Sequence, residues 1–290
     1  MNRIERCFDK LSMTERKLRD GGTEPAATSG RTDGGTEPAA TLGERKALVC
    51  FLTCGDPDFR TTVELVKAIA EAGADIVELG VPFSDPLADG PSIQASSFRA
   101  LQAGATVRKV LDCVADIRRE CDVPLVLMTY YNPVQKYGLE RFARDAASAG
   151  ADGVIVTDLP PEEGADWKQA ADASGLATIQ LVAPTSTKER IELAAKVASG
   201  FIYCVSRTGV TGARDDIPAE LKQLVGTVKS ISDLPVVVGF GISRAEHVRK
   251  VSEFADGVVV GSALVNVVAE HSGSADMLGR VREFVTSLRG

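Results

Sequence analysis

Histidine and aromatic side chains are scarce in this chain, and paired cysteine motifs are missing. Two histidines occur in 290 residues, His247 and His271, and aromatics make up 5% of the total. Chemistry built on a histidine base or on histidine metal ligands therefore has little to draw on. Six cysteines are present (Cys7, Cys50, Cys54, Cys113, Cys121 and Cys204), none in a CxxC pair. Cys50 and Cys54 have the look of a metal half-site, but both sit in an apolar, strand-like run without partner ligands. Four of the six lie in apolar stretches, where free cysteine behaves as a small hydrophobe. That usage fits a reducing compartment. No apolar stretch approaches the ~20 residues of a membrane span. The N-terminus, MNRIERCFDKL, interrupts its apolar residues with charge, unlike a signal peptide, so the expected location is cytoplasmic. Positive charge is also short: 33 Lys and Arg stand against 40 Asp and Glu, a net −7. A nucleic-acid backbone is repelled on average, and a bound anion needs a local site.

The remaining composition is that of an ordinary globular enzyme, with 44% hydrophobic and 25% charged residues. A chain of this length buries roughly three quarters of its unfolded surface and needs no disulfide or metal staple. One segment stands apart. Asp20–Thr28 reads DGGTEPAAT, and Asp33–Thr41 repeats it letter for letter. Residues 20–43, rich in Gly, Pro, Thr and Ala, cannot offset their ordering entropy by burial and are expected to be a disordered insert. Two short copies are too few for a solenoid. Residues 1–19 are expected to supply a helix that caps the main domain, because Ile4, Phe8 and Leu11 recur at helical spacing over Arg3–Leu11.

From residue 44 to 290 the pattern becomes regular. Apolar β-branched runs are expected as strands at Ala47–Thr53, Asp75–Gly80, Pro124–Tyr130, Gly153–Thr157, Ala177–Val182, Phe201–Ser206, Pro235–Gly239 and Gly257–Val260. Amphipathic stretches follow each of them. Strands apolar throughout imply burial on both faces, as in a parallel sheet. Eight βα repeats over about 250 residues point to a single-domain α/β fold, the closed (β/α)8 TIM barrel. The alternative, a doubly wound open sheet, is weakened by the turn after the first strand. There Cys54-Gly55-Asp56-Pro57 stands in place of a GxGxxG motif.

In such a barrel the reactive groups sit at the carboxyl ends of the strands. Glu78 lies in Ile76-Val77-Glu78-Leu79-Gly80, otherwise wholly apolar. A lone carboxylate there costs several kcal/mol unless it is paired or protonated. It is either satisfied by backbone or an unseen lysine, or it is an acid/base with a raised pKa. The next loop, Pro82–Pro91, brings Asp85 and Asp89 over the mouth. Capping of the following helix accounts for one of these aspartates and not both. Ser206–Arg214 has two glycines among small hydroxyl residues, a mobile, amide-rich lid. Gly239-Phe240-Gly241-Ile242-Ser243 and Gly261-Ser262 end the seventh and eighth strands. Glycine turns there lead into helix N-termini, the usual phosphate site of the fold, although each alone reads equally as a tight turn. The residues thus point to a barrel enzyme acting on a phosphorylated small molecule through carboxylates, with neither metal nor histidine base.

The run Val77-Glu78-Leu79-Gly80-Val81-Pro82-Phe83-Ser84-Asp85-Pro86-Leu87-Ala88-Asp89-Gly90 resembles the signature of the tryptophan synthase α chain family. Thr53–Pro57, Tyr130–Pro133, Asp158–Pro160, Ser206–Gly212, Gly239–Ser243 and Gly261-Ser262 match in the same order. The resemblance runs from Arg3 to the C-terminus apart from the repeat. It implies a lyase of tryptophan biosynthesis that cleaves indole-3-glycerol phosphate to indole and glyceraldehyde 3-phosphate. Glu78 then resembles the general acid/base, and Asp89 the carboxylate receiving the indole N–H. Tyr130 and Tyr203 match residues that line the pocket, and Phe51, Ile93, Met128 and Phe240 its apolar wall. Thr211 matches a residue that orders the lid over Asp89. Gly212, Gly241, Gly261 and Ser262 match the phosphate site. The resemblance also implies an α2β2 heterotetramer, in which indole passes through a tunnel to the β chain. Pyridoxal phosphate is expected only in that β partner, and no cofactor in this chain. Pro82–Pro91, the Tyr131–Pro133 turn and the Asp158–Pro160 turn are expected to face the partner.

Other readings compete. An indole-glycerol-phosphate synthase or a sugar-phosphate isomerase would want a lysine or histidine at a strand end, and the strands carry neither. Glu78 and Asp89 argue against a non-catalytic subunit that only activates its partner. A stand-alone lyase that releases free indole would keep the same site.

Overall fold

The computed structural model describes residues 1–20, 45–205, 217–239 and 241–289. Eight strands close into one barrel, β1 (Ala47–Thr53), β2 (Ile76–Gly80), β3 (Leu125–Thr129), β4 (Gly153–Val156), β5 (Ala177–Val182), β6 (Ile202–Val205), β7 (Val236–Gly239) and β8 (Gly257–Val260). Every pairing is parallel, and β1 closes on β8 through Ala47↔Gly257 and Val49↔Val259. Around it run α2 (Phe59–Glu71), α3 (Pro91–Gln102), α4 (Val107–Glu120), α5 (Tyr131–Tyr137), α6 (Leu139–Ala149), α7 (Ala165–Ala173), α8 (Lys188–Val197), α9 (Ala219–Ile231), α10 (Ala245–Ser252), α11 (Ser262–Glu270) and α12 (Met277–Arg289). Local chemistry fixes several starts. The Asp58 carboxylate accepts from Thr61 N–H at 2.8 Å ahead of α2, and Thr106 does the same for α4.

Alternation along the strands separates two cores. Ala47, Val49, Ile76, Val126, Ile155, Ile179, Phe201, Val237 and Val259 fill the inside of the barrel. Leu48, Cys50, Val77, Leu79, Leu125, Leu127 and Val258 point outward against the helices. The buried cysteines Cys50, Cys54, Cys113 and Cys204 are packing residues, and burial pushes the Cys50 thiol up to about 12.

The N-terminal helix, α1 (Arg3–Asp20), is longer than the Arg3–Leu11 stretch that its apolar spacing indicates. It closes the amino-terminal mouth of the barrel. Ile4 is fully buried in the inner core, and Phe8 meets Phe201 with ring centroids 6.1 Å apart. The glycines beneath make room: a β-carbon at Gly153 would stand 3.1 Å from Ile4 Cδ1. Asp20, the first residue of the expected insert, ends α1, and the rest of that insert, residues 21–43, lies outside the described residues.

A clasp recurs at this amino-terminal end. Asp75, Asp152 and Asp256, each just ahead of an even-numbered strand, accept from the backbone N–H of Leu48, Leu125 and Val236 at 2.9 Å. At β6 the Ser199 hydroxyl takes the same part toward Thr178 N–H. Each even strand thus holds the start of the odd strand before it, a repeat of two βα units. The loops of the opposite, carboxyl-terminal mouth hold the candidate site.

One helix departs from the sequence reading. Tyr131–Pro133, expected as a turn, opens α5. The cause is tertiary: Asp158, at the end of β4, accepts from Tyr131 N–H at 2.6 Å and caps that helix from another loop.

Candidate active site

Glu78 points into the barrel, on the same face of β2 as Ile76 and in register with Phe51 and Val126. It is fully buried. Among the described residues no group hydrogen-bonds either carboxyl oxygen. The backbone or lysine partner that a structural glutamate would need is therefore not found among them. Burial alone pushes its pKa to about 8. At neutral pH it is a carboxylic acid, with a proton to give.

Tyr203 lies opposite on β6, and burial first, with Glu78 second once it ionises, holds its phenol well above the usual tyrosine value. The Tyr203 ring is possible only because its neighbour on β7 is Gly239, whose added β-carbon would fall 2.6 Å from Cε1. Phe51 depends in the same way on Gly80, where a β-carbon would stand 2.6 Å from Cζ. Met128 on β3 is partly buried against the inner core. Ile93, in the first turn of α3, is partly buried too. Its carbonyl accepts from the Ser96 hydroxyl at 2.8 Å, and Ser96 meets Thr53 at 2.6 Å. That chain of hydroxyls ties the start of α3 to the end of β1.

Asp89 sits above, in the loop between β2 and α3. Neither Asp85 nor Asp89 caps α3; Gly90 occupies that position without a side-chain bond, and Ser84 Oγ donates to Asp85 at 2.6 Å. The Asp89 carboxyl is instead engaged by Tyr130. Burial raises its proton affinity above the usual carboxylate value, and the Tyr130 hydrogen bond partly offsets that rise. Tyr130 is 4% exposed, accepts from Ala88 N–H at 3.0 Å and packs against Phe83 with centroids 5.2 Å apart. Gln94 Nε2 donates to the Asp89 carbonyl at 2.7 Å. The roles of Phe83 and Gln94 escaped the sequence reading; their adjacency to the loop was the only signal.

Gly241 has a positive φ of 37°, open to glycine and strained for other residues. Gly261 precedes Ser262, the first residue of α11, and no side chain caps that helix. Its first N–H groups therefore remain suited to an anion. Gly261 also lies beside Phe51, whose Cβ is 3.8 Å from where a β-carbon would stand. The structure thus brings Glu78, Tyr203, Phe51, Met128, Gly261 and Ser262 to the carboxyl-terminal end, with Asp89 and Tyr130 joined above. Thr211, Gly212 and Phe240 lie outside the described residues.

A buried acid and a second, hydrogen-bonded carboxylate can divide proton donation from charge stabilisation. Comparison with known proteins identifies the setting. Residues 39–289 match the family model described as tryptophan synthase alpha chain. The chain belongs to that family. It is 54% identical over 245 residues to the tryptophan synthase alpha chain of Geobacter sulfurreducens, covering 84% of this chain and 92% of the relative. The alpha chain of Thermoanaerobacter sp. is 49% identical over 245 residues, with 84% and 93% covered. Among solved structures, the alpha subunit from Legionella pneumophila superposes with a TM-score of 0.83 at 36% identity, covering 100% of this chain and 97% of that one. A chain of the tryptophan synthase α2β2 complex from Pyrococcus furiosus superposes with a TM-score of 0.79 at 40% identity, covering 83% and 97%. Among the described residues, no helix of this α chain is long and apolar enough to cross a membrane.

Proposed function

We propose that this α chain cleaves indole-3-glycerol phosphate into indole and glyceraldehyde 3-phosphate. The observation that carries the reading is Glu78, a fully buried carboxyl with no hydrogen bond among the described residues and a pKa near 8. Glu78 gives its proton to indole C3, and the ring becomes a cationic indolenine. Asp89, as the carboxylate, accepts the ring N–H and stabilises that cation. Glu78, now ionised, takes the proton from the side-chain hydroxyl next to C3. The carbon–carbon bond breaks, its electrons neutralise the indolenine, and the hydroxyl carbon becomes the aldehyde. Glu78 ends protonated, as it began. Phe51, Ile93, Met128, Tyr203 and Phe240 wall the indole, and Thr211 orders the lid. The phosphate lies on Gly212, Gly241, Gly261 and the start of α11 at Ser262.

These steps move protons alone and assign no cofactor to this chain. By kinship with the Pyrococcus furiosus complex, we place it in an α2β2 assembly whose β chain carries pyridoxal phosphate and receives the indole. The site and the assembly are tested together by indole release from indole-3-glycerol phosphate, with and without a β chain, alongside Glu78→Gln. Slow release that rises with the β chain and vanishes in the variant is the expected result. Release unchanged by Glu78→Gln would remove the acid/base. Fast release without a partner would favour a stand-alone lyase.

A further inference from the structure

We propose that Arg99, forked onto Asp56, is a positioning residue for Asp89, acting through helix α3. The inference rests on the reading of Asp89 as the carboxylate that receives the ring N–H. Little apolar contact holds α3 to the barrel. Its buried residues are Ser96, Ser97 and Ala100, all small, whereas α2 buries Leu65 and Ile69 and α4 buries Leu111 and Ile117. The placement of α3 is therefore left to directional bonds. Two of these run to one stretch of chain, the end of β1 and the turn after it. Ser96 Oγ meets Thr53 Oγ1 at 2.6 Å. Three residues further along each segment, Arg99 Nε and Nη2 donate to the two carboxylate oxygens of Asp56 at 2.8 and 2.7 Å. The Asp56 side chain is 4% exposed, and among the described residues Arg99 alone bonds its carboxylate. A carboxylate so buried must keep its cation. The planar fork fixes the angle between the partners as well as their separation.

The other end of α3 carries the candidate site. Its first turn, Pro91–Gln94, has no buried residue and no side-chain cap. Gln94 Nε2 donates to the Asp89 carbonyl at 2.7 Å, so Asp89 moves with that turn. Ile93 belongs to the turn as well. The Ser96–Thr53 bond alone is a pivot, and the fork three residues on removes the swing. From Arg99 back to Pro91 is about 12 Å of helix, and a tilt of about 5° at the fork carries the first turn by about 1 Å. A misplacement of that size costs up to ~100-fold in rate. Helix α3 also packs against α11, whose start is the proposed phosphate anchor. The fork therefore sets the indole end of the site against the phosphate end, and gives no atom to either.

The test compares the wild type with Arg99→Lys, Asp56→Asn, Asp256→Ala and Asp89→Asn. Steady-state cleavage of indole-3-glycerol phosphate and calorimetric binding of glyceraldehyde 3-phosphate are measured on each folded chain. Lysine keeps the charge at 99 but cannot fork, and Arg99→Lys lowers kcat about 10-fold. Its affinity for glyceraldehyde 3-phosphate stays with the wild type, because the phosphate end is anchored on α11. Asp56→Asn keeps the volume and one acceptor, lowers kcat in the same sense by less, and stands in if Arg99→Lys does not fold. Asp256→Ala removes a carboxylate at the opposite mouth; it lowers the unfolding midpoint and leaves kcat in place, which separates positioning from stability. A wild-type kcat in the folded position-99 and position-56 variants overturns the proposal. So does an affinity for glyceraldehyde 3-phosphate that falls in step with kcat, since the whole mouth would then have loosened. Asp89→Asn separates the two levels. Loss of turnover there with no effect at 99 or 56 refutes the positioning role alone, whereas full turnover refutes the reading of Asp89 beneath it.

Discussion

Tyr203 lies across Gly239 so closely that a β-carbon at 239 would fall 2.6 Å from Cε1 and 2.8 Å from Cζ of the ring. The two belong to adjacent strands, with Tyr203 in register with Val237 and Val205 with Gly239. The ring is buried beside Glu78. Gly239→Ala therefore displaces Tyr203 and costs ~1–3 kcal/mol of stability by overpacking. Adding Tyr203→Leu removes the opposing atoms, so the double variant is more stable than the sum of the single effects predicts. Urea unfolding of the four chains measures that coupling; strict additivity would contradict the contact.

Glu78 links activity and stability to the same proton. Its folded pKa is about 8, above the ordinary glutamate value of 4.5. Between these values the folded chain holds a proton that the unfolded chain has released, so stability falls as pH rises, by about 1.4 kcal/mol per unit at full weight. The stabilisation is complete below the unfolded value and lost as pH passes through the folded one. Glu78→Gln should flatten the dependence of unfolding free energy on pH between about 5 and 8. In the wild type, turnover should also decline as pH passes about 8, where the acid form disappears. Parallel stability curves for both chains over that range would mean that Glu78 is ionised in the folded protein.

How much of this was legible beforehand differs between strands, helices and site. The limits of β1, β5 and β8 follow from runs apolar on both faces, and the structure keeps them to the residue. Strands β2, β6 and β7 begin one residue later than expected, β4 ends one residue earlier and β3 is one residue shorter at each end, while Ser206 lies outside the described residues. Helix α5 was unreadable, since its cap, Asp158, is 27 residues away from Tyr131. Glu78 was legible because a carboxylate in an apolar strand is locally inconsistent. The joining of Asp89 to Tyr130 was not, because nothing local links a loop residue to the end of β3. Burial of Glu78 from every side is likewise a tertiary fact.

The basal plug is a separate handle. Ile4 is fully buried at the amino-terminal mouth, against a space that Gly153 and Gly200 leave open. Ile4→Ala leaves a cavity that rigid strands cannot close and should cost ~2–5 kcal/mol. Because the candidate site lies at the opposite mouth, the folded variant should keep its KM. A loss confined to the unfolding midpoint, read by circular dichroism beside steady-state rates, is the expected outcome. A raised KM with an unchanged midpoint would mean that α1 acts on the site instead of the core.

The aspartate clasps should differ in weight according to what they hold out of water. Asp152 accepts from Leu125 N–H and from Arg3 at 3.2 Å and Arg118 at 3.0 Å. The Arg118 side chain is 13% exposed and also donates to the carbonyls of Gly150, Cys121 and Val123, so removing the Asp152 carboxylate takes away its buried counter-charge. Burial already lowers its pKa, and Asp152 is a force that opposes that fall. Asp256 makes the same backbone bond, to Val236 N–H, but its cation, Lys229, is 39% exposed and can turn to solvent. Asp152→Ala should therefore destabilise by ~3–5 kcal/mol, the range for a broken buried pair. Asp256→Ala should lose little beyond the backbone bond, about 1–3 kcal/mol for an unsatisfied buried donor. Urea denaturation of the two variants decides the order. Equal losses would show that the shared backbone bond carries the clasp and that the counter-charge lost at Arg118 adds nothing.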